Sequence, residues 1–138
     1  MTFKSHTDYL WFQTKKLHEF VNITDEVDPY SLSAIICRLP AQAEHLTQVL
    51  RRMGHSFVRW GHRDQFDFSP GVTVTNVHQV KGLEFRNVLI VNPTEAQYRA
   101  ESEEDRNLLY VAITRAEQRL DAICVGRPTA LLPQLARG

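Results

Sequence analysis

Apolar positions in this chain recur at two different spacings, and each change of spacing marks a new element. Between Asp8 and Asn22 the apolar residues Leu10, Trp11, Leu17, Phe20 and Val21 stand among lysines and glutamates, which predicts an imperfect amphipathic helix. Thr24 to Ser33 is polar, contains Pro29 and reads as a connector. Ser33-Ala34-Ile35-Ile36-Cys37-Arg38 is a short apolar run closed by a charge, the pattern of a buried strand. Pro40 then stands where a first helical residue belongs. Ala43, Leu46, Val49, Leu50 and Met53 follow at helical spacing, and Gly54 is placed to end the helix.

Ser56 to Trp60 reads as the next strand, and the polar segment Gly61 to Gly71, with Pro70, as a loop. Val72 to Val77 alternates and is rich in β-branched residues, so a strand is predicted there. Asn87 to Val91 is a continuous apolar run, as in a strand covered on both faces. After the polar, acidic stretch Pro93 to Asp105, the residues Leu108, Leu109, Ala112 and Ala116 mark one face of a helix. Leu120 to Val125 predicts a last strand, and Thr129 to Leu135 a short helix interrupted by Pro133. Strands alternating with helices imply an α/β domain with a mainly parallel sheet. In such sheets functional residues gather at the carboxyl ends of strands. Arg38 ends one strand and His78 to Glu84 follow another, so both are expected at that edge.

Composition narrows the class. A chain of 138 residues fits one domain with a sizeable core. Sixteen basic and sixteen acidic side chains cancel, so the basic excess of a stand-alone nucleic-acid binder is missing. Any grip on DNA is therefore local and weak, or shared with another domain. No apolar run approaches the roughly 18 residues of a membrane span, and the first residues lack a signal-peptide core. A cytoplasmic location is expected, with no membrane partner. Cys37 and Cys124 sit in apolar runs and read as buried thiols. The six histidines have no ligand-spaced companions, so no metal site is assigned.

Two blocks carry candidate chemistry. In Thr75-Asn76-Val77-His78-Gln79-Val80-Lys81-Gly82-Leu83-Glu84-Phe85, Gly82 can let a phosphate approach the backbone. Glu84 can accept from ribose hydroxyls, while His78 and Gln79 offer donors to a nucleic acid. The plainer alternative is a surface turn at Lys81-Gly82 and a polar residue at a strand end. In Arg106-Asn107-Leu108-Leu109-Tyr110-Val111-Ala112-Ile113-Thr114-Arg115-Ala116, Arg115 lies near a helix end. From there its planar fork of donors can reach a neighbouring domain and a γ-phosphate. A surface ion pair with Glu117 or Glu103 is the alternative. Arg38, at a strand end before a proline-started helix, can reach a crevice or simply snorkel.

The first block resembles motif V of UvrD/Rep-type superfamily 1 helicases, and the second resembles their motif VI. Ala34-Ile35-Ile36-Cys37-Arg38-Leu39-Pro40-Ala41-Gln42-Ala43 is similar to their motif IV, so the three motifs stand in the family's order. The resemblance implies a second RecA-like motor domain, of P-loop-NTPase type, in which Arg38 and Arg115 contact the γ-phosphate. It also implies that Gly82 approaches the phosphate, that Glu84 holds the ribose, and that His78, Gln79 and Thr75 face single-stranded DNA. Departures accompany it. Cys37 stands where the family commonly has an adenine-stacking aromatic, and the large insertion between motifs IV and V shrinks to about Gly61–Gly71. No Gly-x-x-x-x-Gly-Lys-Ser/Thr phosphate loop occurs in the chain.

These features divide the chain into an N-terminal helix and connector (1–32) and a helicase C-terminal domain (33–138). ATP and Mg²⁺ are expected in the complete motor, with a Walker-containing motor domain as partner and single-stranded DNA bound weakly. Alone, the chain is expected to be inactive. The alternative is a stand-alone adaptor that kept the fold and binds nucleic acid or protein.

Overall fold

In the computed structural model, residues 17, 19–22, 32–55, 57–61, 69–124 and 126–132 are described. β1 (Leu32–Cys37) lies at the centre of a five-stranded sheet, and five of its six residues are buried, as the unbroken apolar run requires. The other strands are β2 (Arg59–Trp60), β3 (Gly71–Asn76), β4 (Phe85–Val91) and β5 (Ala116–Ile123). Their spatial order is β2-β3-β1-β4-β5, and every neighbouring pair is parallel.

Successive side chains of β1 point to opposite faces, and each face builds its own core. Ile35 and Cys37 pack with Ala43 and Leu50 of α1 (Pro40–Arg52) and with Leu17, Phe20 and Val21 of the N-terminal segment. Ala34 and Ile36 pack with Leu109 and Ala112 of α2 (Glu103–Ile113), together with Val77, Val80, Phe85 and Tyr98. Leu17 and residues 19–22 are helical, while the remainder of the segment predicted from Asp8 lies outside the described residues.

The ends of α1 follow from its sequence. Pro40 opens it, and the Leu39 N–H donates to Gln42 Oε1 at 3.0 Å. Gly54, at φ +101°, closes it in the left-handed region that glycine tolerates. The Gly54 N–H donates to Arg51 O and the His55 N–H to Leu50 O, so two terminal carbonyls are satisfied. At the start of α2, Ser102 Oγ accepts from the Asp105 N–H at 3.1 Å.

The structure shortens or shifts several predicted elements. Of the strand expected over Ser56–Trp60 only Arg59 and Trp60 pair, and Ser56 lies outside the described residues. Ala116, expected on the helix face, begins β5 instead. α2 stops at Ile113 because Thr114 caps it, with Thr114 Oγ1 bonding Tyr110 O at 2.8 Å. Glu103 to Asp105, expected in the acidic stretch, form the first turn of α2. Among the described residues no helix is long and apolar enough to cross a membrane. Leu131 and Leu132 are helical, and residues 133–135 of the predicted last helix lie outside the described ones.

The expectation that both chemical blocks gather at the carboxyl ends of strands does not hold. Parallel strands force each connection to return the chain to the opposite edge. Residues 77–84 make that return from β3 to β4 with a 3₁₀ turn (Val77–Gln79) and no α-helix. α2 makes it from β4 to β5. Arg38 and His78 therefore sit at the carboxyl edge, whereas Gly82, Glu84 and Arg115 sit at the amino ends of β4 and β5.

Candidate functional site

At the amino edge, the Gly82 loop and Arg115 form one unit. The Phe85 N–H donates to Arg115 O at 2.8 Å, and Arg115 NH1 donates to Leu83 O at 3.3 Å. Arg115 is half-buried. Its Nε donates to Val111 O at 3.0 Å and its NH2 to Thr114 Oγ1 at 3.1 Å. Its hydrogen bonds thus go to neutral oxygens, and the ion pairs with Glu117 or Glu103 that its sequence context offered are not formed. Lys81, Gly82 and Glu84 are exposed. The Leu83 N–H donates to Val80 O at 2.9 Å, closing a tight turn in which Gly82 has φ +82°. A Cβ at Gly82 would stand in open space, so the backbone conformation demands the glycine and the side facing solvent stays open.

At the carboxyl edge, Arg38 belongs to a second cluster. Its NH2 lies 3.4 Å from Asp105 Oδ1, and its guanidinium carbon lies 6.0 Å from the centre of the Tyr98 ring. Asp105 Oδ2 accepts from the Arg99 N–H at 3.0 Å and from Arg99 Nε at 3.3 Å. The Arg99 backbone N–H holds the Asp105 carboxyl below its ordinary value, against desolvation, with the Arg99 and Arg38 side chains adding to the effect. Tyr98 is fully buried, and burial pushes its phenol upward. Its hydroxyl has no hydrogen-bond partner among the described residues. Arg38 and Arg115 are not brought together. Asp105, which holds Arg38, lies ten residues before Arg115, roughly 15 Å along a helical path.

Between the two clusters runs an open groove of about 490 Å³, walled by His78 and Lys81 on one side and by Glu103, Glu104 and Asn107 of α2 on the other. Val77, Leu108 and Val111 supply its apolar lining. His78 is exposed and Gln79 half-buried. Thr75 is separated from them: it is fully buried, and its hydroxyl donates to Gly61 O at 2.8 Å. Cys37 is 1% exposed within the α1-side core, and burial pushes its thiol up to about 12. It fills a core position and offers no face to a base.

Sequence reasoning missed Asp105, Tyr98 and Arg99. Asp105 was hidden among acidic neighbours, and its only local mark is the Ser102-x-x-Asp105 spacing of a helix cap. Tyr98 lies in a polar stretch with no periodicity to show that it is buried.

Comparison with known proteins accords with this geometry. Residues 71–121 match the UvrD-like helicase C-terminal domain. The ATP-dependent DNA helicase PcrA of Staphylococcus aureus is 37% identical over 86 residues, covering 51% of this chain and 12% of that protein. PcrA of Staphylococcus epidermidis is 43% identical over 67 residues, covering 41% of this chain and 9% of that one. The chain thus spans only a small part of these relatives' length. The C-terminal domain of a possible DNA helicase from Lactobacillus plantarum WCFS1 superposes with a TM-score of 0.72 at 29% identity, over 88% of this chain and 71% of that one. The matched segment holds β3, the Gly82 loop, β4, α2 and most of β5, and over it the chain is similar to the UvrD-like helicase C-terminal domain and to PcrA.

Proposed function

We propose that residues 33–138 are the second motor domain of an ATP-dependent DNA helicase, and that they work with a Walker-containing domain supplying the phosphate loop and the Mg²⁺ ligands. The observation that carries this reading is the junction of the two chemical blocks, where Arg115 donates to Leu83 O beside exposed Gly82 and Glu84. Arg115 is held near the loop by hydrogen bonds to neutral acceptors. Exchanging these for phosphate oxygens of a nucleotide at the domain boundary is favourable, because the guanidinium then meets a charged acceptor whose paired oxygens match its planar fork. Arg115 then opposes charge developing on the γ-phosphate, Glu84 accepts from the ribose, and Gly82 leaves the approach open. Arg38, across the sheet at the carboxyl edge, is assigned a separate anion contact in the closed motor rather than the phosphate that Arg115 meets. His78 and Gln79 serve single-stranded DNA through a few local contacts, in keeping with zero net charge.

Phosphate release from ATP, followed with and without single-stranded DNA, tests this directly. The purified chain alone should release none, and the complete two-domain motor should turn over in a DNA-stimulated manner. Turnover by the chain alone would overturn the division of labour. DNA or protein binding with no turnover in the complete protein would favour the adaptor.

A further inference from the structure

We propose that Asp105 is a positioning residue for Arg38: it fixes the guanidinium against the Tyr98 ring and ties it to α2, the helix that leads to Arg115. The proposal rests on the motor reading above. Arg38 is largely buried, with its side chain 16% exposed, yet its one side-chain hydrogen bond among the described residues is to Asp105. Guanidinium carries five N–H donors in a rigid fork. One nitrogen on Asp105 and one ring beneath leave the other donors for an anion, and restrict where that anion can sit.

Asp105 is suited to this because it does not depend on Arg38 for its own placement. Its Oδ2 is pinned by a backbone N–H, that of Arg99, and by Arg99 Nε, while its own N–H is capped by Ser102. Oδ1 is thereby turned to Arg38. The carboxylate stays ionised at neutral pH, as its depressed titration requires. Glu103 and Glu104 share the first turn of α2 with Asp105, so the pull on an anion comes from the unused donors of the Arg38 fork rather than from net charge. Since α2 runs from Asp105 to the cap before Arg115, displacement of Arg38 by an anion is transmitted to the second arginine through one short rigid element.

The competing role is a purely structural one, in which Asp105 only fastens the Arg99–Ser102 turn to α2. A double-mutant cycle in the complete motor separates the two. Turnover and KM for ATP are measured with saturating single-stranded DNA for Asp105→Asn, Arg38→Ala, their combination, and Arg99→Ala. A positioning role predicts that Asp105→Asn lowers kcat by roughly ten- to hundred-fold, the rate equivalent of one charge-assisted hydrogen bond. KM should change little, and the double variant should be no slower than Arg38→Ala alone. Arg99→Ala, which leaves the backbone bond to Asp105, should keep most of the turnover. Asp105→Glu supplies the variant that keeps the charge should Asp105→Asn fold poorly, and it should fall between wild type and Asp105→Asn. Additive losses in the cycle, or losses that track melting temperature across all variants, would overturn the positioning role. Wild-type turnover in Asp105→Asn with a slow Arg38→Ala would sink this inference and leave the motor reading standing. Wild-type turnover in Arg38→Ala would remove both this inference and the role proposed for Arg38.

Discussion

Substituting tyrosine for Cys37 asks where the end of β1 points. If Cys37 lay beside a bound adenine, as the motif IV resemblance implies, a tyrosine ring would add a stacking surface and tighten adenine nucleotides by about 1 kcal/mol, roughly fivefold in Kd. The structure predicts the opposite. Cys37 is 1% exposed and is packed in one core with Ile35, Ala43, Leu50, Leu89 and Val91. A phenol there must displace close-packed neighbours and bury a hydroxyl, and overpacking of this kind costs about 1–3 kcal/mol. For a domain of this size that corresponds to a fall in Tm of roughly 3–9 °C. Thermal melting of this 138-residue chain, and fluorescence anisotropy of the complete motor with a labelled ATP analogue, give the two readouts. Unchanged melting with tighter ATP binding would refute the core placement.

Two further variants probe the Arg38 cluster. Tyr98→Phe removes a buried hydroxyl without a hydrogen-bond partner, and an unsatisfied buried polar group costs about 1–3 kcal/mol. Urea unfolding should therefore show equal or greater stability, and a clear loss would mean that the hydroxyl is bonded. Asp105 has a folded pKa below its unfolded value, so its contribution is fully present above the unfolded pKa of about 3.9 and is lost as pH falls through the lower folded value. Wild type should then exceed Asp105→Asn in stability at pH 7 and lose that advantage on acidification below the ordinary carboxylate range. A difference that stays constant from pH 7 to strongly acidic pH would exclude the charge as its source.

The core strands and α1 were legible because one chemical rule governs each. Continuous apolar runs give β1 and β4, and Pro40 with Gly54 brackets α1. The sequence singles out the Gly82 loop and Arg115 by residue type, and their contact follows from β4 pairing with β5. Their position in the fold was not legible. The rule for carboxyl strand ends holds for residues directly after β3 and not for those that have returned to the start of β4, and residues 77–84, without an α-helix, carry no periodicity that reports the return. Ala116 misled because alanine suits a helix face as well as a strand, and the cap at Thr114 decides between them. Thr75 shows a similar limit: an alternating strand does not reveal that its hydroxyls are spent on a neighbouring carbonyl. The Arg38–Asp105–Arg99 cluster joins residues 67 positions apart, a distance no local pattern reports.

The central claim is that Arg115 acts on a nucleotide held by another domain. The measurement that tests it most directly is single-turnover ATP hydrolysis by the complete motor carrying Arg115→Ala, with nucleotide affinity measured in parallel. An arginine acting on transition-state charge predicts that hydrolysis slows by roughly a thousand- to hundred-thousand-fold while ATP affinity is largely kept. A hydrolysis rate equal to that of the unmodified motor would make Arg115 a local tie between α2 and the Leu83 carbonyl, and the account would fail.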